Sequence, residues 1–161
     1  MIRRYSLIGL ILLSAIWLSC KQDRDPCLQP KTVTLHMGVY KAADTGSLGV
    51  DSVLPSAIVG LVDTNVLFYY GANVSKFALT LNPKADSCRW FIIADSNHVN
   101  NVDTMTFYYQ PQPHFISEAC GFINYYNINS VRCTNYYIDS FQIKDFNIST
   151  KANVENVKIF Y

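Results

Sequence analysis

The sequence predicts an all-β fold, an antiparallel β-sandwich of about nine short strands stapled by disulfides, and three observations predict it. Short runs rich in β-branched and aromatic residues recur through residues 31–161, and turn-forming residues separate them. No stretch after residue 20 sustains apolar residues at helical spacing, although Thr150 to Asn156 has room for one short helix. An even set of cysteines follows an export signal.

The first run, Thr32 to Tyr40, puts Val33, Leu35, Met37 and Val39 on one side and Thr32, Thr34, His36 and Tyr40 on the other. A period of two means a half-buried strand. Val66 to Tyr70, Lys76 to Leu81, Arg89 to Ala94, Thr104 to Tyr109, Phe115 to Ala119, Phe122 to Ile128, Tyr136 to Phe146 and Val154 to Tyr161 continue the series. Gly71 to Asn73, Asn82 with Pro83, Ser96 to Asn101 and Pro111 to Pro113 supply turns. In Arg89 to Ala94 both alternating sets are apolar, as a central strand requires. Ser96 to Asn101 then forms the loop of a hairpin into Thr104 to Tyr109. A transmembrane barrel is excluded, because its strands need about 9–11 residues and most runs here are shorter.

With 161 residues, 50% hydrophobic and 16% charged, the chain supports one packed domain. Nine Phe, 11 Tyr and two Trp give it enough apolar surface to offset chain entropy. Thirteen Lys and Arg face 12 Asp and Glu. This near-neutral balance lacks the basic excess that binds phosphate backbones, so nucleic acid is not an expected partner.

The N-terminus reads as an address. Arg3 and Arg4 precede the apolar run Leu7 to Leu18, and Ser19 and Cys20 close it, the layout of a secretory signal. From Tyr5 to Cys20 a helix would reach about 24 Å, short of the roughly 30 Å hydrocarbon core. Leu18, Ser19 and Cys20 resemble the end of a bacterial lipobox, with Trp17 where that pattern has Leu. The resemblance implies that residues 1–19 are a cleaved lipoprotein signal and that Cys20 is lipidated. Several acyl chains, at about 0.8 kcal/mol per methylene, hold a protein on a membrane without a spanning helix. Residues 20–30 form the lipidated tether and 31–161 the β-sandwich domain. The polar run Lys21 to Pro26 is similar to acidic export tags of Bacteroidota lipoproteins, so both the periplasmic face of the outer membrane and the cell surface are open as destinations.

Without Cys20 there remain Cys27, Cys88, Cys120 and Cys133, which read as two disulfides in an oxidising compartment. Four cysteines allow three connectivities, and their spacing selects none. No Cys-x-x-Cys pair and no closely spaced His pair forms half of a zinc site, and His36, His98 and His114 lie far apart. No cofactor is expected.

Asp25, Pro26 and Cys27, the strand Thr32 to Met37, the segment Phe77 to Asn82, and Phe115 through Ser117, Cys120 and Phe122 together resemble a group of small Bacteroidota lipoproteins. That group is a domain of unknown function numbered six-four-five-two. The resemblance covers most of residues 20 to 130, and the tail after Ser130 lies outside it. It implies an envelope lipoprotein with a β-rich body and a Cys27 to Cys120 disulfide, which leaves Cys88 to pair with Cys133. Such a bridge is worth about 4–5 kcal/mol in the chain-entropy model.

Candidate chemistry is sparse. His36 sits on the polar face of the first strand, and His98 and His114 fall in expected loops, where a lone histidine is normally just solvated. Asp44, Asp51, Asp63, Asp86, Asp95, Asp103 and Asp139 each precede Ser or Thr, which suits Asx turns. The triplets beginning at Asp51 and Asp103 resemble Bacteroidota O-glycosylation sites, making Ser52 and Thr104 modification candidates. Tyrosine pairs at 69–70, 108–109, 125–126 and 136–137 would each send one ring outward, and Tyr69, Tyr108, Tyr125 and Tyr136 are the candidate binding surface. Tyrosine is also a favoured cross-strand residue, which explains the pairs without a ligand. The expectation is a membrane-anchored envelope lipoprotein, not an enzyme, acting as a structural or protein-binding accessory module. The alternative is a surface glycan- or peptide-binding lipoprotein using the tyrosines, and an envelope hydrolase ranks last.

Overall fold

A computed structural model describes residues 26–29, 31–42, 49–151 and 154–161. The signal segment 1–19, Cys20 and Asp44 lie outside the described residues. The described chain forms eleven strands in two sheets. The first sheet holds β1 (Thr34–Lys41), β2 (Val50–Asp51), β5 (Lys76–Thr80), β9 (Ser140–Ile143) and β11 (Val157–Phe160). The second holds β3 (Leu54–Leu61), β4 (Leu67–Val74), β6 (Ser87–Ile93), β7 (Val102–Ser117), β8 (Gly121–Cys133) and β10 (Asn147–Ile148). Its order is β10-β8-β7-β6-β3-β4, antiparallel throughout.

β1 is the centre of the first sheet. It pairs antiparallel with β5 over Thr34 to Gly38 and with β2 at Tyr40 and Lys41. Its other edge takes β11 in parallel, so the sandwich is antiparallel except at this pair. The alternation read from the sequence is its cause: Val33, Leu35, Met37 and Val39 are buried while Thr34, His36 and Tyr40 are half-covered. β6 lies between β3 and β7 and turns Cys88, Trp90 and Ile92 into the core, leaving Phe91 and Ile93 half-buried on the outer face. Met105, Phe107 and Tyr109 of β7 face the same way, and one hydrophobic cluster joins the two inner faces.

Several local signals are overridden. Pro111 and Pro113 do not turn the chain but lie within β7. Tyr109 donates its N–H to Asp86 O on the β6 side, so by parity the nitrogens of Pro111 and Pro113 also point away from β8. β6 has ended there, since its last pair is Ser87 with Tyr108, and a missing N–H on an open edge costs nothing. Gly71 to Asn73 lie inside β4, and Pro55 inside β3, a strand absent from the sequence expectation. The expected strand Tyr136 to Phe146 shrinks to β9, because residues 134–138 form a loop wrapped around Asp103. Ser96 to Asn101 is the loop between β6 and β7, with a short 3-10 turn at Ser96–His98.

Cys27 and Cys120 are disulfide-bonded, with Cα atoms 4.8 Å apart at a sequence separation of 93. The expected Cys88 to Cys133 bond is corrected: both are free thiols. Cys88 pairs with Phe107 across β6 and β7, while Cys133 pairs with Met105 across β7 and β8, so a whole strand lies between them. Two inter-strand steps and two residues of rise separate their Cα atoms by roughly 12 Å, against a bridging limit near 7 Å.

Candidate functional site

Asp103 is the most heavily engaged polar side chain in the interior. It is fully buried, and its carboxylate accepts from the backbone N–H groups of Tyr136, Tyr137 and Ile138, each at 2.8 Å, and from the Thr134 hydroxyl at 3.1 Å. Thr134 closes the knot by accepting from Thr104 N–H at 2.8 Å. The expectation of an Asx turn at Asp103 is therefore corrected. Parity would have found it, since Met105, Phe107 and Tyr109 face inward and one further step back along β7 reaches Asp103. The acid of the Asp103 triplet is consequently inside the core, and Thr104 stands on the outer face without it. Ser52 likewise is engaged, with its Oγ 2.5 Å from Tyr161 Oη.

A cleft of about 350 Å³ opens beside this loop, lined by Ala94, Asp95, His98, Asn101 and Tyr137. Asp95 caps the 3-10 turn by accepting from Asn97 N–H at 2.9 Å, and its other oxygen lies 3.1 Å from His98 Nδ1. The Asn97 N–H first, then His98, hold the Asp95 carboxyl below the usual carboxylate range. This joins a histidine to a carboxylate, but His98 is 72% exposed and the pair is open to water. Ser96 Oγ turns instead to Ser56 Oγ, 2.5 Å away. His36 Nε2 lies 3.1 Å from Thr34 Oγ1, and His114, placed in β7 and not in a loop, stacks on Tyr125 with ring centroids 4.4 Å apart. Among the described residues no cluster of three or more His, Cys, Asp or Glu could hold a metal ion.

A second cleft of about 280 Å³, lined in part by Leu61, Thr80, Leu81, Pro83 and Cys88, reaches the sandwich interior. Burial pushes the Cys88 thiol up to about 11 and the Cys133 thiol up to about 12, the latter helped by the nearby Asp103 charge. Neither is a ready nucleophile, because the thiolate is the reactive form.

The tyrosines do not assemble into one patch. Tyr69 is corrected outright: it packs edge-on against Phe77 of the opposite sheet at 5.5 Å and accepts from Ala78 N–H at 3.0 Å. Its neighbour Tyr70 takes the outward place, 75% exposed. Tyr108 lies under the Arg132 guanidinium at 5.7 Å, Tyr125 under His114, and Tyr136 stands exposed in the Asp103 loop. No ring contact joins any two of Tyr69, Tyr108, Tyr125 and Tyr136. Their partners Tyr109 and Tyr126 are core residues in edge-to-face contact at 5.4 Å.

The exposed apolar surface has two concentrations. Val66, Leu67, Phe68 and Tyr70 line the edge of the second sheet on or beside β4, and Phe68 rests edge-on against Trp90 at 4.8 Å. Leu28, Phe115 and Phe122 lie on the two segments that the Cys27–Cys120 bond joins at the end of the β7–β8 hairpin.

A family of unknown function (DUF6452) matches residues 56–161, well over half of the chain. The matched stretch begins at Ser56 and runs through the tail, so it departs at both ends from the 20 to 130 span of the sequence resemblance. Cys27 lies outside it and Cys120 inside. No curated protein and no solved structure matches the chain.

Proposed function

The chain belongs to the DUF6452 family of unknown function, and on that premise we propose that it is an envelope lipoprotein of a Bacteroidota-type bacterium, anchored to the outer membrane through Cys20. Its domain acts as a non-catalytic accessory module that binds another envelope protein. The observation that carries this reading is the Cys27–Cys120 disulfide. Disulfides persist in oxidising compartments, which supports export behind the signal-like segment 1–19. The bond also ties the sandwich to the chain seven residues after the lipid-acceptor cysteine.

The polar groups that chemistry would need are engaged in holding the fold: Asp103 organises a loop, Asp95 caps a turn, and the Asn156 side chain links β1 to the segment around β10. A surface for another chain is available at β4, which among the described residues is an edge strand with no partner on its outer side and is flanked by Leu67, Phe68 and Tyr70. Register shifts along β3 and β4 keep that edge from being flat, which limits open-ended self-pairing.

Phase partitioning of whole cells tests the anchor. The native chain enters the detergent phase and Cys20→Ser moves it to the aqueous phase; retention of the Ser variant in detergent overturns the anchor. Photo-cross-linking from position 70 in the native host should give one discrete adduct, with none from the exposed position 110. Equal labelling from both positions overturns the binding edge.

A further inference from the structure

The end of the β7–β8 hairpin carries apolar side chains that the sandwich does not use. β7 loses its β6 partner after Tyr109, and β8 has its β10 partner only from Tyr126 onward, so between those points the two strands pair only with each other among the described residues. Near the tip Phe115 and Phe122 are direct cross-strand partners with ring centroids 5.1 Å apart. They remain 52% and 69% exposed. The turn between Ser117 and Gly121 is tight: Cys120 N–H donates to Ser117 Oγ at 3.1 Å, and Gly121 takes φ +71°, where a side chain would be strained. Cys120 in that turn binds Cys27, and the adjoining Leu28 is 90% exposed. Three large apolar side chains thus stand in water on the two segments that this bond joins.

We propose that this hairpin tip rests in the interfacial region of the bilayer that holds Cys20, with Phe115, Phe122 and Leu28 as its contact residues. The proposal rests on the lipid-anchor reading and deepens it. Its physical basis is chain length. Cys27 lies seven residue steps after Cys20, and fully extended those steps span at most about 25 Å. As a flexible chain they span roughly 15 Å on average. The disulfide therefore never lets Cys120 in the tip stray more than about that extended length from the lipidated residue, so a weak apolar contact becomes intramolecular and is strongly favoured over free encounter. The opposite requirement, keeping two phenylalanines and a leucine in water beside a membrane, wastes the burial such side chains gain at a lipid interface. Glu118 in the turn is acidic and exposed, which favours a zwitterionic surface over an anionic one. The tip would set the tilt of the sandwich on the membrane.

The test uses Phe122→Trp in the full chain on phosphatidylcholine–phosphatidylethanolamine vesicles. Trp17 falls in the cleaved segment and Trp90 is fully buried, so position 122 reports alone among exposed indoles. The expected result is a blue shift of about 10 nm on vesicle addition and at least twofold quenching by lipids brominated in the upper acyl chain, with neither effect for Tyr70→Trp. A parallel chain bears a histidine tag in place of residues 1–20 and is held by nickel-chelating lipid. It keeps the tip tethered whether or not Cys20 is acylated, so loss of native-chain flotation counts against the anchor alone. An unquenched indole at position 122 on the chelating vesicles overturns the tip contact. So does a blue shift without vesicles that grows with protein concentration, which would make the tip an interface between copies.

Discussion

The Asp103 carboxylate and the Ile138 backbone nitrogen stand 2.8 Å apart in the core although 35 residues separate them in sequence. With Tyr136 and Tyr137 donating as well, one side chain replaces the hydrogen bonds that a loop leaving a sheet would otherwise find in water. Asp103→Ala leaves the buried Ile138 N–H and the part-buried N–H groups of Tyr136 and Tyr137 without their acceptor and should cost roughly 3 kcal/mol, because a donor left unpaired away from water carries a desolvation penalty. Thr134→Ala removes only the hydroxyl and should cost about 1 kcal/mol. Urea unfolding monitored by Trp90 fluorescence compares the two. Equal losses would mean that the carboxylate does not organise the loop.

The Cys27–Cys120 bond closes a loop of 93 residues and should stabilise the domain by up to about 4–5 kcal/mol. Cys27→Ser, Cys120→Ser and the double variant should therefore share one lowered urea midpoint, since the second substitution removes nothing more. A peptide map of the unreduced native protein should show this linkage and leave Cys88 and Cys133 alkylatable after unfolding. A peptide joining Cys88 to Cys133 would contradict the strand that separates them.

What the sequence made legible was local periodicity. β1, β5, β6 and the core half of β7 are readable because their inward residues alternate without interruption. β3 is not, since Pro55 and the positive φ of Ser56 break the pattern at a bulge that only pairing with β4 explains. The same register shifts reverse the expected facing of Tyr69 and Tyr70. Pro111 and Pro113 look like a turn because their tolerance depends on where a different strand, β6, stops. The disulfide network was half legible: the even count suggested two bonds, but the intervening strand that keeps Cys88 from Cys133 is a fact of topology. The apolar hairpin tip is not legible in the sequence, because Phe115 and Phe122 read as ordinary strand residues until the strands around them end.

The two free thiols predict an alkaline weakness. Their folded values, about 11 for Cys88 and about 12 for Cys133, lie above the roughly 8.5 of an unfolded cysteine. The unfolded chain thus releases these protons first, and the native state binds more protons above that point. The associated stability is complete below about pH 8.5 and is lost as pH rises toward 11 and 12. Urea midpoints should fall progressively above about pH 9, and the fall should be shallower in Cys88→Ala with Cys133→Ala. At about pH 8, below the unfolded value, both thiols should react with an aromatic disulfide reagent far more slowly in the native protein than in urea. Rapid reaction of either thiol in the native state would show that burial does not protect it.

Gly38 leaves room for a polar cluster on the outer face of the first sheet. Tyr40 donates its hydroxyl to Glu155 Oε2 at 2.8 Å, and Lys158 Nζ lies 3.9 Å from the Tyr40 ring centroid and 3.8 Å from Glu155 Oε1. Burial, then the bond to Glu155, pushes the Tyr40 hydroxyl up to about 12. A methyl group at position 38 would collide with the Glu155 carboxylate and come within 2.8 Å of the Tyr40 ring. Gly38→Ala should therefore cost about 1–2 kcal/mol, as overpacking does. Glu155→Ala alone forfeits one partly exposed hydrogen bond and should cost about 0.5–1 kcal/mol. If Glu155 is the obstacle, the double variant should be more stable than Gly38→Ala alone, so the two losses fall short of additivity. Additive losses in urea unfolding would move the obstacle to the Tyr40 ring and remove Glu155 from the account of this glycine.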